Sequence, residues 1–109
     1  SIIKLGNLTP KREYNDINDV ARIYAQLLEL ETDGEIFNIG SGKAYSIEQI
    51  LQILRRLSGR DIAIQSDAKF IRANDPALLV CDTAKLLSYG IAPCGGDIEA
   101  PLRLMLASD

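Results

Sequence analysis

The apolar and polar positions of the chain change period several times, and each change marks an element. Residues 2–5 read Ile-Ile-Lys-Leu and are followed by the turn formers Gly6, Asn7 and Pro10. This predicts a short strand at Ile2–Leu5, a turn, and a second short strand around Arg12–Tyr14. A helix should follow, capped by Asn15 or Asp16, whose side chains can accept from exposed first-turn amides. Ile17, Val20, Ala21, Tyr24, Leu27 and Leu28 recur at steps of three and four, one apolar stripe facing a core. Tyr24 is then a core residue, and Asp19 and Arg22 fall on the wet side, one turn apart. Asp33-Gly34 ends the element.

Glu35–Ile39 is a short apolar run between Gly34 and Gly40, the pattern of a buried strand. Gly40-Ser41-Gly42-Lys43 is the loop after it. Ser46 with Gln49 three residues on makes a capping box. Ile47, Ile50, Leu51, Leu54 and Leu57 form the stripe of a second helix, which Gly59 stops. Ile62 and Ile64 alternate with Ala63 and Gln65, as in a strand. Strand, helix and strand in succession predict a parallel βαβ unit with a right-handed crossover. Residues 67–76, DAKFIRANDP, break the pattern and read as an irregular loop with a polar centre. Ala77–Cys81 is apolar, a short strand or the approach to a helix. Asp82 should cap Thr83–Ser88, with Gly90 and Pro93 punctuating its end. Gly95-Gly96 is a turn, and Asp97 should cap a last helix through Leu106, with Pro101 tolerated near its first turn. The expected fold class is α/β: a small, mostly parallel sheet with about four helices, in one domain over residues 1–109. No repeat, low-complexity tract or linker interrupts it.

Composition narrows the chemistry. Hydrophobic residues make up 47% and charged residues 25%, the balance of a packed domain. No run reaches the ~20 apolar residues of a membrane span, and no basic-then-apolar leader opens the chain. The chain starts at Ser1, as a processed or trimmed product would. A net charge of −3 argues against a general nucleic-acid binder but leaves room for a locally basic pocket. With no histidine, the commonest general base and metal ligand is absent. Cys81 and Cys94 lack the paired spacing of a zinc site and cannot build a disulfide framework. They read as buried or bland thiols in a reducing cytoplasm, and no metal is expected.

The Gly40–Lys43 loop invites a phosphate-loop reading but fails it, because Phe37 and Ala44 stand where that motif needs Gly and Ser or Thr. Arg12 and Arg72 are better candidates. Each lies beside turn formers and off any apolar stripe, and a guanidinium grips phosphate oxygens in pairs. Asp75, three residues after Arg72, is a natural acceptor for ribose hydroxyls. Glu13, Asp16 and Asp19 fit helix-dipole stabilisation better than acid–base chemistry. Arg55, Arg56 and Arg60 lie on or just after the polar face of the second helix. Tyr14, Tyr24, Tyr45 and Tyr89 have no lysine four residues later.

Three stretches, GNLTPKREYNDINDV, GEIFNIGSGKAYSIEQIL and IRANDPALLVCDTAKL, resemble in order the C-terminal part of extended short-chain dehydrogenases/reductases that act on nucleotide sugars. The group resembled most is that of GDP-mannose 4,6-dehydratase and GDP-6-deoxy-4-keto-mannose reductase. YNDINDV and FNIGSGKAYSI look more like the reductase, since the dehydratase usually carries an aromatic–Gly–His stretch where this chain has Tyr14-Asn15-Asp16. The resemblance implies that Arg12 and Arg72 reach a diphosphate and that Asp75 holds a ribose. It also places Gly6–Leu8 beside the nucleoside, with Asn7 and Lys11 as secondary contacts. Many members have proline at the position of Ala73, which leaves this loop less preorganised.

The family's catalytic half is an N-terminal Rossmann domain with a glycine-rich turn after its first strand and a Tyr-x-x-x-Lys pair. Neither occurs in this sequence. The resemblance therefore implies a substrate-binding domain alone, with no catalytic residue and no cofactor in this chain and NADP(H) or NAD(H) in the parent enzyme. The implied ligand is a GDP-sugar. The implied parent reaction is reduction of the 4-keto group of GDP-6-deoxy-4-keto-mannose. A Rossmann domain is the implied packing partner, and the apolar face it would cover could drive homo-oligomerisation. Two other readings remain: a structural module that self-associates without ligand, and a UDP- or dTDP-sugar epimerase or dehydratase relative.

Overall fold

A computed structural model of the chain describes residues 2–31 and 33–107; Ser1 lies outside them. Strand β1 (Ile2–Leu5) pairs in parallel with β4 (Ala63–Ser66), Ile3 standing opposite Ile64. Strand β2 (Lys11–Arg12) pairs antiparallel with β3 (Tyr45–Ser46). Four α-helices complete the described residues: α1 (Ile17–Leu28), α2 (Ile47–Ser58), α3 (Ala84–Ser88) and α4 (Glu99–Ala107). This is the expected α/β class, with its sheet split into one parallel and one antiparallel pair.

The local signals that involve caps hold. Asp16, not Asn15, caps α1, its Oδ1 accepting from Asn18 N at 3.0 Å. Ser46 and Gln49 form the full capping box of α2: Ser46 Oγ accepts from Gln49 N, and Gln49 Oε1 accepts from Ser46 N. Gly59 ends α2 at φ +68, a left-handed conformation that a Cβ disfavours. Asp82 accepts from Ala84 N ahead of α3, and Asp97 from Glu99 N ahead of α4. Because Ser46 is also buried, Ser46→Ala should cost about 1–2 kcal/mol of stability, read as a lower urea midpoint at unchanged m-value.

Packing overturns three expectations. Glu35–Ile39 is not a strand, and β4 takes β1 as its parallel partner, so the expected βαβ unit is absent. Side chains fix this segment instead of a ladder. The Phe37 ring stands edge-on to Tyr89, Lys85 Nζ lies over it, and Lys85 Nζ also donates to Ile36 O. The Tyr89 hydroxyl donates to Glu35, and with Lys85 holds that carboxyl below its ordinary pKa. On α1 the face turned to the core carries Val20, Ile23 and Leu27, with Ile23 fully buried. Tyr24 is exposed, as are Ile17 and Leu28, so the stripe was centred one residue off the packed face. Asp19 and Arg22 are half-exposed and ion-paired one turn apart at 3.8 Å, and both also reach a neighbouring segment. Arg22 donates to Ala92 O and Pro93 O, and Asp19 accepts from Gly95 N, tying the 92–95 segment across α1.

The main cluster joins Ile23, Leu86, Ile91 and Cys94, flanked by Phe37 and Ile39. Cys94 is buried and Cys81 half-buried; both are free thiols, and burial raises the pKa of each. A second region packs α4 on α2. There Arg56 donates twice to the Glu99 carboxylate, at 2.8 and 3.2 Å, and lowers its pKa. That link is present above the ordinary carboxylate pKa and is lost only as pH falls through the lowered value.

Much apolar surface stays uncovered. The accessible area is 7723 Å², against about 5900 Å² for a compact monomer of this mass. The radius of gyration is 16.7 Å where about 13 Å is usual for this length. Ile17, Leu28, Ile36, Leu104 and Met105 are among the exposed side chains.

Candidate functional site

Arg12 reaches its position through the strand it sits on. Strand β2 is held on one side by β3, and on the other by residues 77–79: Lys11 N donates to Ala77 O at 2.8 Å, and Leu79 N donates to Lys11 O at 3.0 Å. That registration draws the preceding turn, residues 72–75, against β2. Asn74 sits there at φ +61, a conformation asparagine tolerates better than most residues. Asp75 precedes Pro76 and is held off the helical region. The result is an ion pair between Arg12 Nη2 and Asp75 Oδ1, across 63 residues of sequence.

Arg12, Arg72 and Asp75 line one cavity of about 350 Å³, together with Gly6, Asn7, Pro10, Tyr14, Ile47 and Phe70. Four of the five expected site residues are thus brought together. Lys11 is not among the lining residues: its backbone joins the two ladders and the residue is exposed. Asn7 is turned partly to its own loop, its Oδ1 accepting from the Thr9 hydroxyl. Arg12 also donates to Lys11 O, which fixes the guanidinium plane. The Arg72 guanidinium is exposed and meets no protein acceptor among the described residues. With two guanidiniums and one carboxylate, the cavity carries a net charge of about +1 in a chain of net charge −3.

Sequence reasoning missed Pro10, Tyr14, Ile47 and Phe70 as wall residues. Tyr14 carried a usable signal, two residues beyond Arg12. Phe70 carried another, the lone aromatic of the 67–76 loop. It also missed the work of Glu13. That carboxylate faces away from the cavity and accepts from both Ser41 N and Cys81 N, stitching two loops to the end of β2. Across Arg12 the surface continues into a shallower cleft lined by Glu13, Asn15, Asn38 and Asp82.

A larger groove of about 610 Å³ lies between α2, β1, β4 and the end of α4. Its lining is mostly aliphatic with three arginines along it: Arg55 donates to Ile62 O, Arg103 pairs with Glu99, and the Arg60 guanidinium meets no protein acceptor among the described residues. Among the described residues there is no cluster of three or more metal-ligating side chains, and no helix long and apolar enough to cross a membrane. The residues present do not fit a dinucleotide. The turn after β1 leads into β2 instead of a helix N-terminus, and the Gly40–Lys43 loop leads into β3.

Residues 1–40 match the model of the NAD dependent epimerase/dehydratase family. The GDP-6-deoxy-D-talose 4-dehydrogenase of Aggregatibacter actinomycetemcomitans is 34% identical over 86 residues, 79% of this chain and 29% of that protein. The UDP-glucose 4-epimerase of Corynebacterium glutamicum is 35% identical over 79 residues, 71% of this chain and 23% of that protein. A crystal structure of a candidate epimerase from Burkholderia cenocepacia superposes with a TM-score of 0.88 at 34% identity, over 96% of this chain and 35% of that one. The chain therefore spans about a third or less of the proteins it matches. The family model over residues 1–40, the sequence matches and the fold match over nearly the whole chain agree: this chain is similar to one part of the NAD dependent epimerase/dehydratase enzymes.

Proposed function

We propose that the cavity between β2 and the 72–75 turn binds the nucleoside diphosphate part of a GDP-sugar. The observation that carries this reading is the convergence of Arg12, Arg72 and Asp75 on one cavity. Arg12 and Arg72 hold the diphosphate through charge-assisted hydrogen bonds, and Asp75 accepts from the ribose hydroxyls. Asn7 contributes at the nucleoside end; Lys11, outside the lining, contributes only to the local field. The sugar then lies across Arg12, toward the cleft bearing Asn15, Asn38 and Asp82.

The matched relatives support a reaction at the hexose C4, since one is named a 4-dehydrogenase and the other a 4-epimerase. The GDP-linked member favours reduction of the 4-keto group of GDP-6-deoxy-4-keto-mannose as the parent activity, with NADP(H) or NAD(H) held by residues outside this chain. The UDP-linked member keeps a UDP-sugar 4-epimerase as the second reading. Catalysis is then not a property of these 109 residues. The apolar surface left open is the docking face of a dinucleotide-binding half, and without that half it would favour self-association.

Isothermal titration of the chain with GDP, UDP and dTDP tests this reading. GDP should bind most tightly. A preference for UDP would move the assignment to the second reading. A dimer by light scattering that is indifferent to all three would favour a structural module. Asp75→Asn supplies a finer check. It raises the charge of the cavity, so inorganic pyrophosphate should bind several-fold more tightly while GDP gains less or loses, because a ribose acceptor has gone.

A further inference from the structure

One wall of the cavity is built for something other than an anion. Phe70 lines it, beside Ile71 in a loop with a polar centre, with 52% of the residue exposed. An aromatic side chain left this open costs hydrophobic stabilisation unless something covers it. Its backbone is also unusually well fixed for a loop. Phe70 closes a 3-10 turn, Ala68–Phe70, in which Phe70 N donates to Asp67 O and Ile71 N to Ala68 O. Asp67 caps the turn through Lys69 N and is itself anchored by its own N–H to Leu5 O at 2.7 Å. Ser66 Oγ donates to Gly6 O at 2.8 Å. Gly6 lies so close to the Phe70 carbonyl that a Cβ there would collide with it. The end of β1 and the aromatic turn are therefore locked face to face, and Lys69 Nζ lies 5.0 Å from the ring centroid.

We propose that Phe70 is the stacking platform for the nucleobase and gives the cavity its preference for a purine. The inference rests on the nucleoside diphosphate reading above and extends it to the residue that selects the base. Guanidiniums and a carboxylate account for the diphosphate and ribose, but none of them distinguishes one base from another. An exposed ring on a rigid turn does, because stacking grows with the overlapping π area and a purine presents two fused rings. Gly6 is the positioning residue: its missing side chain is what lets the turn approach.

The test compares GDP, UDP and inorganic pyrophosphate on the whole chain and on Phe70→Ala and Phe70→Tyr, by isothermal titration. The wild-type chain should bind GDP more tightly than UDP, and both more tightly than pyrophosphate. Phe70→Ala should weaken GDP by about 5- to 100-fold and UDP by less, and leave pyrophosphate within about twofold. Phe70→Tyr should restore GDP binding. Unchanged GDP affinity in Phe70→Ala overturns the inference, and so does equal weakening of GDP and pyrophosphate. Wild-type chain that binds pyrophosphate as tightly as GDP overturns the stacking role and leaves the diphosphate reading standing. Wild-type chain that binds neither overturns both.

Discussion

Arg12→Ala should weaken GDP binding by about 100-fold or more, against about 10-fold for Arg72→Ala. The two arginines line the same cavity but are not equivalent. Arg72 has no protein partner among the described residues, so its removal takes away contacts to the ligand and little else. Arg12 is paired with Asp75. Its removal takes away the same kind of contact and also leaves an uncompensated carboxylate facing the incoming diphosphate. The cavity then changes from a net positive charge to about neutral, with its negative charge beside the ligand. Arg12→Ala/Asp75→Asn should recover part of the loss, because the repulsion goes with the carboxylate. Titration of the four proteins with GDP checks both the ranking and the partial recovery. Equal losses for the two single variants would mean that Asp75 is not close to the bound diphosphate.

Gly40→Ala should destabilise the fold by about 3 kcal/mol, or about 12 °C or more in Tm. Gly40 is buried in the loop between the Glu35–Ile39 segment and β3, and a Cβ there would strike the Glu13 carboxylate and come within 2.7 Å of Cys81 Cβ. That carboxylate holds Ser41 N and Cys81 N together. Pushing it aside leaves two backbone donors without their acceptor. Gly40 O also accepts from Cys94 N at 3.0 Å, so the disturbance reaches the main cluster. Glu13→Ala should cost a comparable amount, and the double variant less than the sum, because both changes break the same junction. Thermal melts of the three variants decide this. Strict additivity would show that the glycine and the carboxylate act independently.

The elements legible in the sequence were those defined by local chemistry. Asp16, Ser46 with Gln49, Gly59 and Asp97 marked helix ends within a residue or two, because a cap acts on amides of its own turn. The partnership of strands was not legible. Ile62–Gln65 reads as a strand, but nothing within it says that β1, some sixty residues earlier, is its neighbour. Glu35–Ile39 has the composition of a buried strand and buries Phe37 and Ile39 by packing instead, since Tyr89 and Lys85 hold it from the side. On α1 the apolar residues cover more than one face, so periodicity alone could not choose Ile23 over Tyr24. The site shows the same division. Arg12, Arg72 and Asp75 were legible as residue types suited to a nucleotide diphosphate. Their convergence depends on the ladder that lays residues 77–79 along Lys11, a tertiary fact. Glu13 resembled a helix-dipole acid and proved to be the staple between two loops, which only the fold reveals.

The central claim is that the nucleotide enters between β2 and the 72–75 turn. Titrating GDP into isotopically labelled chain and following its backbone and guanidinium NMR signals reads the location directly. The account predicts that the largest shifts fall on Gly6, Arg12, Phe70, Arg72 and Asp75, while Leu54, Ile64 and Arg103 in the larger aliphatic groove stay still. Shifts concentrated in that groove, or none at millimolar GDP, would contradict it.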